Sequence, residues 1–397
     1  MRQRIAALLA VASLLAACSP SLTPSPGRVP TQAQNPPAAL ASPTAVPTGT
    51  AVQAPEATAT QSGGEATPTS AGPTIDPLNG LPPADPALLQ RRPLVVKVEN
   101  LPRGHRPQWG LSQADLVYEY YTEQGTTRFA AVYLGKDAAR VGPIRSGRFF
   151  DANVVDMYKA VFAFGSAYSD VLNRFKQSDF ANRMVVEEYN NCPPMCRYEP
   201  QGADLLVTNT HDLSAYITQK GISNGPQNLD GMQFQADPPA GGQPAEQVYA
   251  RFSNAIYNRW DYDPSTKTYL RWVDSQDDPN NNHEVYVKLT DRGNGQQISA
   301  VNVVIIYVPY VYYARTAVTE VFDVNLIGTG PAYVARNGQI YAVQWKRLTP
   351  DAVLTLVGND GKPFPLQPGN TWFEVMHSES MQTQKGSSWR FTFVLPK

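Results

Sequence analysis
The chain has 397 residues, of which 42% are hydrophobic and 17% charged, and its formal net charge is -1. No basic tail or cluster is present to neutralise phosphates, which excludes nucleic acid as an expected partner. No stretch stays apolar over the roughly 20 residues that a membrane-spanning helix needs.

The N-terminus opens with Met1-Arg2-Gln3-Arg4 and continues as an apolar run from Ile5 to Ala17. A short positive segment followed by a short apolar one is the pattern of an export signal, expected over residues 1–17. The run closes on Leu15-Ala16-Ala17-Cys18, the pattern of a lipobox in which the Cys18 thiol accepts a diacylglycerol. Each buried acyl methylene contributes about 0.8 kcal/mol, so several chains on one residue hold a protein at a membrane. Loss of Arg2 and Arg4 with the signal takes the formal charge from -1 to -3. The expected address is outside the cell, at the outer face of the cytoplasmic membrane, or at the outer membrane of a diderm.

From Cys18 to about residue 75 the chain is mostly Ala, Pro, Thr, Ser, Gly and Gln, with Arg28, Glu56 and Glu65 as its charges. So little apolar surface cannot offset the entropy of ordering, and the segment reads as a disordered tether. Its repeated prolines favour extended conformers, with a reach of ~150 Å fully extended and ~40 Å as a coil.

The folded part divides in the Pro/Gly stretch Asp237–Pro244, giving one expected domain over 76–240 and another over 245–397. In the first, Leu94–Glu99 alternates with β-branched residues and predicts a strand. Leu116–Glu123 and Arg128–Leu134 predict a hairpin around a Gly125-Thr126 turn, which sets Glu123 opposite Arg128. A helix is predicted from about Arg148 to Tyr158, with Phe150, Val154 and Met157 at helical spacing. Ala160–Phe164 follows as a buried strand. A helix capped by Ser169 and running to about Lys176, and another capped by Thr210 or Asp212 and stopping at Gly221, complete a mixed α/β domain.

Cys192 and Cys196 lie in Asn191-Cys192-Pro193-Pro194-Met195-Cys196. In an oxidising compartment they are expected to close a small disulfide loop, with free thiols as the alternative. Zinc would need further ligands, and the four histidines are scattered, so no metal is expected. No Gly-rich phosphate loop is present, and no cofactor is expected.

The second domain turns to strand and turn signals. Candidate strands run at Val248–Phe252, Thr268–Val273, Glu284–Leu289, Val301–Val308, Ala317–Val324, Gln339–Trp345, Val353–Leu356 and Trp372–Met376, separated by turns such as Asn337-Gly338 and Asp360-Gly361. The fold class is α+β, a mixed α/β N-terminal domain followed by a mostly β C-terminal one.

Asp76-Pro77-Leu78-Asn79-Gly80-Leu81, Arg106-Pro107-Gln108-Trp109-Gly110-Leu111, Ala114-Asp115-Leu116-Val117-Tyr118-Glu119 and Gly142-Pro143-Ile144-Arg145-Ser146-Gly147-Arg148 resemble the N-terminal domain of the YerB-like lipoproteins. Trp260-Asp261-Tyr262-Asp263, Gly328-Thr329-Gly330, Trp345-Lys346-Arg347 and Gly369-Asn370-Thr371-Trp372 resemble that family's C-terminal partner domain. The resemblance covers nearly everything from Asp76 onward. It implies an exported lipoprotein and supplies no reaction.

Two sets of residues could carry chemistry. Glu119 and Glu123 share parity on one strand, and paired carboxylates suggest glycoside hydrolysis. Four residues of strand span about 13 Å, however, against the roughly 5–9.5 Å that the reaction uses. The alternative is that Glu123 pairs with Arg128 across the hairpin. Arg145-Ser146-Gly147-Arg148 sits where a loop enters a helix, a setting that favours a carboxylate or phosphate, either external or on a neighbouring Glu119 or Asp115. Asn100, Arg106 and Asp115 surround the same strands. The leading expectation is a binding or scaffold module for an envelope component (wall glycan, anionic polymer or envelope protein), using a groove of Asn100, Arg106, Asp115, Glu119, Glu123, Arg128, Arg145, Ser146 and Arg148. The second is a cell-wall glycan hydrolase or lyase using Glu119 or Glu123.

Overall fold
The computed structural model describes residues 74–188, 191–198 and 205–397, which belong to one compact unit. Cys18 and the expected signal and tether up to residue 73 lie outside the described residues. In the first half the elements are β1 (Leu94–Glu99), β2 (Leu116–Tyr121), β3 (Thr127–Tyr133), α1 (Phe149–Tyr158), β4 (Val161–Phe164), α2 (Ser169–Lys176), β5 (Met184–Val186), β6 (Met195–Tyr198), β7 (Leu205–Thr208) and α3 (Thr210–Gln219). The second half is all strand: β8 (Gln243–Pro244), β9 (Gln247–Arg251), β10 (Tyr257–Asp263), β11 (Thr268–Asp274), β12 (Tyr286–Lys288), β13 (Ser299–Ala300), β14 (Asn302–Val308), β15 (Tyr310–Arg315), β16 (Glu320–Val324), β17 (Gly328–Arg336), β18 (Gln339–Arg347), β19 (Thr355–Val357), β20 (Thr371–His377), β21 (Met381–Lys385) and β22 (Ser388–Thr392). The fold is α+β.

Strands from both halves build one large sheet in the order β19, β18, β17, β14, β20, β2, β3, β1, β4, β5, with β8 on β18. The two halves meet where β2 runs parallel to β20, with Leu116 beside Thr371 and Glu119 beside Glu374. A second sheet, ordered β12, β11, β10, β9, β22, β21, covers one face of this central region. Alternation along β2 shows the layering. Tyr118 and Tyr120 point to α1, where Tyr120 packs on Phe150 at 4.3 Å and Tyr118 Oη lies 2.6 Å from Tyr158 Oη. Glu119 points the other way, to Asn258 and Arg271 of the second sheet. Next to it Trp372 meets Trp260 edge to face at 5.2 Å. Because both faces are covered, β1, β2, β14 and β20 are buried at every residue.

The hairpin differs from its sequence expectation. The turn is centred on Gln124 (φ 47°) and Gly125 (φ 78°), and Thr126 N–H donates to Glu123 O at 2.8 Å. Positive φ at both central residues matches the twist of the flanking strands, as a type I′ turn requires. The register therefore sets Tyr120, not Glu123, opposite Arg128, and Glu123 belongs to the turn. The helix cap before α3 is Asn209, whose side chain accepts from His211 and Asp212 N–H.

β17 was hidden in sequence because Gly328-Thr329-Gly330-Pro331 reads as a turn. A Cβ on Gly330 would stand 2.5 Å from Trp345 Nε1 and 2.9 Å from Tyr307 O. Glycine there lets β17 cross close above the indole, whose Nε1 donates to Tyr307 O at 2.7 Å. Cys192, in the turn before β6, and Cys196, within β6, form a disulfide, Cα to Cα 4.8 Å. No helix among the described residues is long and apolar enough to cross a membrane.

Candidate functional site
The parallel register of β2 and β20 puts two carboxylates side by side in the layer between the sheets. Glu119, Glu374 and Arg271 are all 0% exposed. Arg271 Nη2 donates to Glu119 Oε2 at 2.5 Å and its Nη1 to Glu374 Oε1 at 3.2 Å. Thr127 Oγ1 and Asn100 Nδ2 donate to Glu119 at 2.7 and 3.1 Å, and Trp260 Nε1 donates to Glu374 at 2.8 Å. The guanidinium lies between rings, 4.2 Å from the centre of Trp372 and 4.8 Å from that of Trp260. One cation faces two acids, and burial together with the Glu119 charge pushes Glu374 up to about 8, against the pull of Arg271. Two acids on one buried cation thus favour the protonated form of Glu374.

This placement corrects the reading of Glu119 as acid or base of a glycan hydrolase. A carboxylate with no exposure and four donors has no route to an external sugar. Asn100 belongs to the same interior, and Arg106 lies behind it, holding Asn100 O at 2.8 Å and Asp274 at 2.9 Å.

On the α1 side a second cluster is only partly closed. Glu123 sits between Arg128, at 2.7 Å, and Arg148, whose Nε donates to it at 2.7 Å. Their side chains retain 16–21% exposure. Burial alone would raise the Glu123 pKa, but the hydrogen bond and charge of Arg148, joined by Arg128, outweigh it and lower it. A carboxylate held in this way does not suit the acid of a glycan hydrolase, and both its oxygens are already engaged by the two arginines. Beneath lies Lys97, fully buried, in contact with Tyr120 and 3.1 Å from Asp151. Burial brings Lys97 down to about 7, with Arg128 and Arg148 adding to the fall and Asp151 opposing it. Asp151 also accepts the Arg148 N–H at 2.7 Å and so caps α1.

Arg145 and Ser146 form an outer rim. Arg145 Nε donates to Glu99 at 2.7 Å while the side chain stays 45% exposed, and His105 Nδ1 reaches the same carboxylate at 3.0 Å. Ser146 Oγ lies 2.9 Å from Ser166 Oγ. A small cleft of about 150 Å³ opens here.

Asp115 is elsewhere, in a structural knot. It accepts Leu134 and Gly135 N–H at 2.7 and 3.0 Å, and Asn79 Nδ2 at 2.7 Å. Asn79 also donates to Asp76 at 2.8 Å, and Asn79 O accepts Gly369 N–H at 2.7 Å just before β20. Burial and the Asp115 charge push Asp76 up to about 8. The predicted groove is therefore split. Glu123, Arg128 and Arg148 come together, Arg145 and Ser146 flank them, and Asn100, Arg106, Asp115 and Glu119 serve the interior. Sequence reasoning missed Arg271, Glu374, Asn258 and Lys97. The available signal was a charge inside an apolar run, as in Trp372-Phe373-Glu374-Val375-Met376. Among the described residues, no group of three or more His, Cys, Asp or Glu could hold a metal ion.

Comparison with known proteins agrees with this architecture. Residues 78–223 match the model "Protein of unknown function (DUF3048) N-terminal domain", and residues 248–373 match the corresponding C-terminal domain. The chain belongs to the DUF3048 family. It is 25% identical over 301 residues to the "Putative lipoprotein YerB" of Bacillus subtilis strain 168, covering 72% of this chain and 82% of that protein. The crystal structure of the YerB protein from Bacillus subtilis superposes with a TM-score of 0.62 at 22% identity, over 76% of this chain and 96% of that one. The two share a fold.

Proposed function
We propose that this protein is a lipid-anchored extracytoplasmic binding module that engages an anionic component of the cell envelope through the Arg145 rim. The lipobox ending at Cys18 and the lipoprotein name of the Bacillus relative support the anchor. The observation that carries the binding reading is the exposed Arg145 guanidinium set beside Ser146. Behind it, the guanidiniums of Arg128 and Arg148 share the single carboxylate of Glu123. An exposed guanidinium at the mouth of a small polar cleft, with two further arginines bound to the Ser146 carbonyl behind it, suits a carboxylate or phosphate end group. A cleft of about 150 Å³ is too small to embrace a glycan chain, and this favours binding over hydrolysis. The partner is a wall glycan, an anionic polymer or an envelope protein.

The test is co-sedimentation with purified sacculi, with the supernatant read by mass spectrometry. Retention of the protein without released fragments is expected, and Arg145→Glu should weaken it about tenfold. Unchanged retention of Arg145→Glu would sink the rim as the contact. Released glycan fragments would return the hydrolase reading, with a catalytic group other than Glu119.

A further inference from the structure
A larger opening lies at a different place, where the segment after β1 meets the turn after β12. It encloses about 640 Å³ and is lined by Trp109, Arg140, Tyr198, Arg292, Ser112 and Asn294, among others. Trp109 is 5% exposed and packs with Leu205 and Val207, so its ring is a fixed wall. Gly110 (φ 82°) lets the chain turn there, since a Cβ would stand 2.5 Å from Arg140 O.

Two guanidiniums are organised by this wall. The Arg292 carbon lies 4.3 Å from the Trp109 ring centre, and its Nη2 donates to His105 O at 2.9 Å. The Arg140 carbon lies 4.0 Å from the ring centre of Tyr198 and 5.5 Å from that of Trp109. Among the described residues neither arginine pairs with a carboxylate, and the Arg140 guanidinium makes no hydrogen bond. The two acids of the pocket are already satisfied. Asp291 accepts Gly110, Ser112 and Gly293 N–H and the Ser112 hydroxyl at 2.7–3.1 Å. Asp137 pairs with Arg91 at 2.8 Å.

We infer that this pocket binds a phosphate monoester. Stacking on aromatic faces holds a guanidinium in place while leaving its N–H edge free for an oxyanion. Two unpaired cations beside one indole call for a ligand of charge near -2, which a phosphate monoester carries at neutral pH and a carboxylate does not. Ser112 and Asn294 at the rim offer further polar contacts to the group that bears the phosphate.

The experiment is calorimetric titration of the intact protein with glycerol 3-phosphate, inorganic phosphate and acetate. Saturable binding of both phosphates is expected, about tenfold or more tighter than acetate. The order of the two phosphates tells whether an attached polyol is recognised or phosphate alone suffices. R140Q should weaken binding about tenfold with only a small shift of the thermal midpoint, because Arg140 gives up its stacking on Tyr198 and Trp109 and no hydrogen bond. R292Q, which also frees His105 O, provides the second variant. No saturable phosphate binding, unchanged binding in both variants, or equal binding of acetate would overturn the assignment.

Discussion

The two charged clusters on opposite faces of β2 are built from the same side-chain types and differ in access to water. Between the sheets, Arg271 faces Glu119 and Glu374 with no exposure, and the surplus carboxyl keeps a proton. Beside α1, Glu123 faces Arg128 and Arg148 with 16–21% exposure, and the carboxyl stays ionised. Burial, not residue identity, decides which cluster can meet a ligand. In the dry layer an unmatched charge is removed by protonation, whereas at the edge it persists and is available for recognition.

The comparison breaks most sharply at Arg271. Arg271→Met would leave Glu119 buried without its cation, and a loss of about 3–5 kcal/mol is expected in the urea midpoint. A loss below about 1 kcal/mol would mean that water reaches the cluster. Proton linkage is the next largest effect. Glu374 has a raised folded-state value, so its contribution is fully present below its ordinary value of 4.5 and is lost as pH rises through about 8. The Glu374 contribution should fall between those limits, by on the order of 1 kcal/mol per pH unit at the steepest, with Asp76 adding to the fall and Lys97 opposing it above about 7. Glu374→Gln should flatten that fall when urea midpoints are compared at pH 5, 7 and 9; an unaltered slope would assign the proton to another group. Smallest is Arg145→Gln, which should change stability by about 1 kcal/mol or less, because the arginine is 45% exposed and Glu99 keeps His105 at 3.0 Å. A larger loss would mean that the rim is structural.

Local patterning made some elements legible. Leu94–Glu99 reads as a strand and is one, and the helix expected to end at Tyr158 does so. What stayed hidden has physical reasons. β17 begins with turn-forming residues that serve a close approach to Trp345. β21 is a largely polar edge strand of the second sheet, without the alternation that marks a half-buried strand, whereas β22 does alternate, with Trp389 and Phe391 buried, in a run too short to stand out. The shift of the hairpin turn by one residue moved Glu123 out of β2, so parity with Glu119 no longer held. The pairing of β2 with β20 joins residues some two hundred and fifty positions apart, and no local signal announces it. The sealed cluster depends on that pairing, so Glu119 looked like a surface carboxylate when read alone.

The knot at Asp76 has a mechanical consequence. Asp76 and Asn79 are tied to Asp115 at the head of β2 and, through Gly369, to the approach of β20. Tension entering from the N-terminal side is delivered to the middle of the large sheet, at the seam of its two halves. An edge strand loaded in this way would peel one hydrogen bond at a time. Here the load falls on strands held from both sides, so the body should resist being drawn apart by whatever holds its leading end.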